Sequence, residues 1–241
     1  MNLFHGTAVG DGIVSPHGRW TFAGDVCDTF DIHADKSIPY YRDGHELVAQ
    51  LSEFFVRPGG VVYEIGCSTG TLIRALARRH HGKDVRFLAV DVEPRMAEEA
   101  RLRCARNPEI EIIEADATAL EFEGFDFAAI YYTLQFLRPD QRQRLLAGLY
   151  SALLPGGAVV VYEKVRSASP MFQDLAQQIY QDFKLSNGYT PDEVLGKSRS
   201  LKGVLAPLTS EENIASLRAA GFGQVVSVQK YVCFEGFLAV K

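Results

Sequence analysis

The sequence predicts an α/β fold: a mostly parallel seven-stranded sheet with helices on both faces and an antiparallel C-terminal strand. Three observations predict it. From about residue 60, short β-branched runs alternate with helical stretches, as strands do when crossover helices join them. A glycine-rich turn, Gly66 to Gly70, stands between the first run and the first helix. The chain ends in two apolar runs, Gln224 to Val232 and Phe234 to Val240, with only Cys233 between them. So short a connection requires an antiparallel pair.

In chain order, strands are expected at Val61 to Ile65, Arg86 to Asp91, Ile110 to Glu114, Phe125 to Tyr131 and Ala158 to Glu163. Helices are expected at Thr71 to Arg79, Pro94 to Arg106 and Pro139 to Ala152. Gly156-Gly157 breaks the last helix and turns the chain into the next strand. Two segments fall outside this core. Residues 1–57 read as an N-terminal arm and lid, with an aromatic stretch from Trp20 to Tyr41 and a helix near Arg42 to Phe55. Residues 58–241 form the α/β domain, with an insertion at 164–209 that holds a helix from Pro170 to Leu185 and then a loop through Pro207. A connection that long is uncommon unless it is functional.

A chain of 241 residues, 47% hydrophobic and 23% charged, has the balance of a globular domain and not of a disordered one. The net charge of −5 has the wrong sign for a long phosphate footprint, so no nucleic-acid partner is expected. No apolar run approaches the roughly 20 residues of a membrane-spanning helix, and no basic-then-apolar leader opens the chain. A soluble, cytoplasmic protein is the expectation. Cys27, Cys67, Cys104 and Cys233 lack C-x-x-C spacing and are read as thiols, and no metal site is expected from them or from His80 and His81. Both histidines, at the far end of a helix, are expected in solvent.

The chemistry-bearing residues stand at strand ends. Glycines in Glu64-Ile65-Gly66-Cys67-Ser68-Thr69-Gly70 let the backbone turn sharply and approach a ligand, and the helix that follows presents unpaired N–H groups. Asp91 ends the second strand, where a carboxylate can accept from both hydroxyls of a ribose; capping the helix at Pro94 is the plainer alternative. Asp116 ends the third strand, followed by Ala117.

Glu64-x-Gly66-x-Ser68-x-Gly70 resembles the acidic-x-Gly-x-Gly-x-Gly motif of class I methyltransferases, which accommodates the amino acid end of S-adenosylmethionine (SAM). Over residues 19–241 the chain also resembles the carboxy-SAM synthases. The matching stretches are Arg19-Trp20-Thr21-Phe22, Ser37-Ile38-Pro39-Tyr40-Tyr41, Thr133-Leu134-Gln135-Phe136-Leu137, Asp182-Phe183-Lys184 and Asn187-Gly188-Tyr189. Those enzymes share the methyltransferase fold and convert SAM and prephenate into carboxy-SAM. The resemblance implies that Tyr41, Glu64, Gly66, Cys67, Ser68 and Gly70 surround the methionine part of SAM. Asp91, Val92, Asp116 and Ala117 would hold the nucleoside, and Tyr131 would stand near the sulfonium. A homodimer is the default that it implies.

Two departures from that family bear on the reaction. Tyr131 replaces an Asn at the end of the fourth strand, and a gapless alignment puts Ser198 where the family has the Arg that binds the extra carboxylate. Serine cannot supply a guanidinium fork. A one-residue shift would bring Arg199 to that place. Without the Arg, the reading that follows is a reaction with SAM as the only substrate. In it, Tyr41, Tyr131, Tyr132, Tyr180 and Tyr189 line the site and stabilise the sulfonium by cation–π attraction. The α-amine then attacks Cγ to give azetidine-2-carboxylate and methylthioadenosine, as in the methyltransferase-like azetidine-2-carboxylate synthases. Tyr131, Tyr41, Tyr180 and Ser198 are the expected catalytic groups. The alternatives are methyl transfer to a small molecule, carboxy-SAM synthesis with prephenate, and SAM binding without turnover.

Overall fold

The computed structural model describes residues 7–23 and 26–241; residues 1–6 and 24–25 of the expected arm lie outside them. The arm opens with a two-stranded hairpin, β1 (Thr7–Ala8) and β2 (Val14–Ser15), followed by α1 (Val26–Ser37) and α2 (Tyr41–Ser52). The core then runs β3 (Val61–Ile65), α3 (Thr71–Arg79), β4 (Arg86–Asp91), α4 (Pro94–Cys104), β5 (Ile110–Glu114) and β6 (Phe125–Tyr131). A 3₁₀ turn (Leu134–Phe136), α5 (Pro139–Ala152) and β7 (Leu153–Lys164) follow. The insertion holds α6 (Pro170–Ser186) and α7 (Pro191–Ser200), and α8 (Ser210–Ala220), β8 (Gln224–Tyr231) and β9 (Phe234–Val240) close the chain.

The seven-stranded sheet has the order β5-β4-β3-β6-β7-β9-β8. The pairs β5–β4, β4–β3, β3–β6 and β6–β7 are parallel, and β9 is antiparallel to both of its neighbours. All seven residues of the central strand β6 are buried, as a parallel strand covered on both faces must be. One face packs Leu72, Ile73 and Leu76 of α3 with Val48 and Ala49 of α2. The other packs Leu145, Leu146 and Leu149 of α5 with Leu217 of α8. Because β3 connects outward to β4 on one side and lies beside β6 on the other, a crevice opens at their C-terminal ends, where ligands bind in open α/β sheets.

Three helices are absent from the sequence-based expectation, and each has a local cause. The expected loop through Pro207 contains α7, whose N-terminus is a capping box: Thr190 accepts from the Glu193 N–H, Glu193 reaches back, and Pro191 takes the first turn. Thr209 and Glu212 do the same for α8, which ends at the left-handed Gly221. In the aromatic stretch, α1 turns His33, Ala34 and Ser37 inward. The strand expected from Ala158 begins five residues earlier, at Leu153. His80 is buried rather than solvated, bonded to the Ser52 hydroxyl at 2.7 Å.

Arm and insertion pack on each other. The N–H groups of Gly18 and Trp20 donate to the carbonyls of Arg199 and Ser200, which satisfies groups that a helix end leaves unpaired. A Cβ at Gly196 would lie 2.3 Å from the Ala8 carbonyl oxygen, so only glycine lets α7 approach β1 this closely. Beneath this contact, Asp11 accepts from Lys36 at 2.6 Å and from the Tyr189 hydroxyl at 2.8 Å, and it lies 3.0 Å from His33 Nδ1.

Candidate active site

The turn after β3 is the floor of the site. Gly66 (φ 76°), Ser68 (φ 49°) and Gly70 (φ 77°) are all left-handed. At Gly66 a Cβ would lie 2.3 Å from the Thr133 hydroxyl oxygen, so glycine is needed here for the closure of the β6 loop as well as for its backbone angle. Gly70 caps α3, and its Cβ would meet the Cys104 sulfur at 3.1 Å. Gly70 therefore packs against α4 and does not line the cavity, contrary to its expected role in holding the ligand.

Above this turn lies a cavity of about 280 Å³. One end of it is carboxylate and backbone. Asp91 accepts the Ser68 N–H at 2.7 Å and the Glu93 N–H at 2.9 Å, and burial raises its pKa. The cap of α4 is Glu93, so Asp91 serves the Gly-rich turn and the cavity. Val92, Asp116 and Ala117 complete this end, and Asp116 is held by the Thr118 N–H at 2.8 Å. Cys67 and Glu64 lie deeper. Burial pushes Glu64 well above the usual carboxylate range; the Ile73 N–H bonds it, and its Oε2 has no partner among the described residues.

The other end is aromatic and cationic. Tyr41 of α2 and Tyr131 of β6 line it with ring centroids 5.4 Å apart, and His45 lies 4.5 Å from Tyr131. Tyr132, just past the end of β6, joins them 4.8 Å from Tyr131. Burial pushes the phenols of Tyr41, Tyr131 and Tyr132 up and the His45 imidazole down to about 4, so all four are neutral at pH 7. Asp31 of α1 reaches in from the arm and is saturated by the hydroxyls of Thr69 and Thr71 and by Arg103.

Two lysines, Lys164 at the end of β7 and Lys197 of α7, line this end, and Lys184 of α6 stands behind them. Lys164 lies over the Tyr180 ring at 4.2 Å, Lys184 lies over the same ring at 4.4 Å, and Lys197 stands over Trp20. Lys164, Lys197 and Tyr180 line the cavity, and Lys184 is 5% exposed behind Tyr180. Burial lowers the pKa of all three, that of Lys184 to about 8; the charge of Lys164 adds to the effect at Lys184, and that of Lys184 at Lys197. No carboxylate pairs with any of them among the described residues.

Of the expected site residues, Tyr41, Glu64, Gly66, Cys67, Ser68, Asp91, Val92, Asp116, Ala117, Tyr131 and Tyr180 line one cavity. Ser198 does not, and Arg199 is exposed. Consecutive residues on a helix are turned by about 100°, so α7 presents Lys197 and Leu201 to the cavity and turns its neighbours away. Tyr189 also leaves the wall, its hydroxyl bonded to Asp11 and Ser37. Sequence reasoning missed His45, Asp31 and the lysines. The capping box at Thr190, which makes 191–200 a helix, was the available signal for Lys197.

Comparison with known proteins agrees with this geometry. Residues 62–157 match the model of a methyltransferase domain. The chain is 34% identical over 224 residues to the carboxy-S-adenosyl-L-methionine synthase of Staphylococcus epidermidis, covering 92% of this chain and 97% of that protein. The chain belongs to the carboxy-SAM synthase family. The enzyme of the same name from Pseudomonas putida is 35% identical over 228 residues, with 92% of each chain covered. Among solved structures, the S-adenosylmethionine-dependent methyltransferase SibL superposes with a TM-score of 0.60 at 20% identity, over 84% of this chain and 55% of that one. That likeness is one of fold. As a member of this family the chain is a SAM-dependent enzyme of the methyltransferase fold, and no helix among its described residues is long and apolar enough to cross a membrane.

Proposed function

We propose that the protein holds SAM with its ribose at Asp91, its adenine beside Asp116 and Ala117, and its methionine end between Tyr41 and the Glu64–Ser68 turn. It then joins the methyl carbon of SAM to the carboxyl carbon of an anionic co-substrate. With prephenate, the ring carboxylate leaves as CO2 and the ring hydroxyl as hydroxide. The hydroxide takes a methyl proton of SAM to give water, and the resulting methylene carbon adds to the CO2, leaving carboxy-SAM and phenylpyruvate. Family membership supports this reading, and the three lysines carry it. Burying unpaired cations costs several kcal/mol each, and no carboxylate pairs with these among the described residues, so burial lowers their pKa values. SAM brings a sulfonium, an ammonium and a single carboxylate, so its arrival adds positive charge. An anion beside Lys164 and Lys197 would offset that charge. Lys197 offers a point charge where the family uses a guanidinium fork, so the carboxylate is held by several ammonium groups. The expected dependence on Ser198 or Arg199 is thereby replaced by one on Lys197.

A second reading, SAM as sole substrate, is favoured by the neutral cage of Tyr41, Tyr131, Tyr132 and His45. Aromatic faces stabilise a sulfonium without offering a nucleophile. The α-amine would attack Cγ as the Cγ–S bond breaks, releasing methylthioadenosine and azetidine-2-carboxylate. Either reading works on an intracellular metabolite, hence in the cytoplasm. The exposed Met171, Phe172, Leu175 and Ile179 of α6 support self-association as a homodimer.

Chromatography with mass spectrometry, on purified protein given SAM with and without prephenate, tests the proposal. Carboxy-SAM formed only with prephenate is the expected result. Methylthioadenosine with an azetidine amino acid from SAM alone would instead establish cyclisation. S-adenosylhomocysteine appearing after a small acceptor is added would establish methyl transfer.

A further inference from the structure

The start of α2, like those of α3, α4 and α6, has no side-chain cap. The residue before it, Tyr40, is left-handed at φ 57°. The placement of Tyr41 is therefore fixed from outside the helix. The Tyr131 hydroxyl donates to the Tyr41 carbonyl at 2.7 Å, tying α2 to the C-terminal end of β6. That approach depends on Gly44, because a Cβ there would stand 2.1 Å from the Tyr131 hydroxyl oxygen. Gly44 lies inside a helix and has no positive φ, so neither turn nor backbone angle accounts for it. Glycine in a helix interior is unfavourable, and the contact with Tyr131 is what gives it a use.

We propose that Gly44 and Tyr131 act as one positioning pair, which sets how far Tyr41 reaches into the methionine end of the cavity and so determines which product SAM is turned into. The hydroxyl of Tyr131 is committed to a backbone carbonyl, so Tyr131 works through Tyr41 as a positioning residue. The inference rests on the reading that the SAM methionine end lies against Tyr41.

The test uses Tyr131→Phe, Gly44→Ala and the double variant, titrated calorimetrically with S-adenosylhomocysteine and assayed for products from SAM with and without prephenate. Removing one neutral hydrogen bond weakens binding by about three- to tenfold, which is expected for Tyr131→Phe. Gly44→Ala is expected to lose at least as much, because its Cβ displaces the hydroxyl. With Phe at 131 the nearest atoms to that Cβ are Cζ of residue 131 and Cε1 of Tyr162, both at 3.2 Å, which a shift of a few tenths of an ångström relieves. The double variant should then bind within about twofold of Tyr131→Phe alone, a non-additivity expected of coupled neighbours. The proportion of SAM consumed without co-substrate should change in step with affinity, which a purely structural role would not produce. If Gly44→Ala does not fold, Tyr131→Phe, which adds no atom, still decides the matter. Penalties that multiply, or a Tyr131→Phe protein with wild-type affinity and products, would overturn the proposal. Wild-type protein that fails to bind S-adenosylhomocysteine would sink the cavity assignment itself, and this inference with it.

Discussion

The two ends of the cavity are built by opposite means. At the nucleoside end, one compact stretch of each of three consecutive strands supplies a carboxylate or a turn, and the groups are fixed by backbone N–H donors, as Asp91 is by Ser68 and Glu93. At the other end, α2, β6, β7, α6 and α7 each supply one or two residues, and the groups are fixed by packing on rings, as Lys164 and Lys184 are on Tyr180. The first end is acidic and rigid. The second is cationic, aromatic and closed by the arm and the insertion. On the proposed reading, the difference separates holding SAM from choosing its chemistry, and the choice draws on the arm and the insertion together with the ends of β6 and β7.

The comparison breaks most visibly at the lysines. Lys197→Met and Lys164→Met should each lower kcat/KM for the anionic co-substrate by about a hundredfold, since a charge-assisted hydrogen bond contributes roughly 1.5 to 3 kcal/mol. Affinity for S-adenosylhomocysteine should stay within about threefold. Steady-state kinetics beside calorimetry reads both, and equal losses in the two would mean that the ends are not separate.

At the nucleoside end the converse holds. Asp91→Ala should weaken S-adenosylhomocysteine by about tenfold or more, because the ribose loses a charged acceptor, while the ratio of products from SAM stays as in the wild type. A changed product ratio would show that the nucleoside end also takes part in the choice.

A smaller effect concerns pH. Lys184 has a folded pKa of about 8 against an ordinary value of 10.5, because burial disfavours its charge. Its cationic form should fall as pH rises through about 8. Stability moves the other way. Between pH 8 and 10.5 the unfolded chain binds more protons than the folded one at this group, so stability rises with pH across that window. Lys184→Met should remove that rise and increase the melting temperature at pH 7 by a few degrees, on the order expected for about 1 kcal/mol. An unchanged or lower melting temperature would mean that Lys184 is paired in solution. The smallest effect is expected at Ser198→Ala and Arg199→Ala, which should leave turnover within about twofold because neither residue lines the cavity. A large loss at Arg199 would return the carboxylate to a guanidinium.

Legibility in the sequence follows the same division. The places of the strands along the chain, the Gly-rich turn and the strand-end position of Asp91 were readable because their signals are local: hydrophobic period, glycine spacing and a carboxylate at a strand end. Gly70 shows the limit even there, since a motif glycine that packs on Cys104 has the same one-dimensional appearance as one that faces a ligand. The reacting end depends on which way α7 rotates, and a segment read as loop has no rotation to predict. Once Thr190 and Glu193 cap it, the side chain turned to the cavity is fixed as Lys197 rather than Ser198. His80 was placed in solvent by its position at a helix end, and only the long-range contact with Ser52 buries it. Tyr131 was flagged as an aromatic ring where the family has an amide, yet its partner Gly44 shows only in three dimensions.

The most direct test of the central claim is a calorimetric titration of prephenate into protein saturated with S-adenosylhomocysteine, comparing wild type with the Lys164→Met/Lys197→Met double variant. If the lysines form the anion site, the wild type binds prephenate, the affinity falls as pH rises because burial lowers the pKa of both lysines, and the double variant shows no heat of binding while still holding S-adenosylhomocysteine. Equal prephenate binding by both proteins, or none by the wild type, would contradict the account.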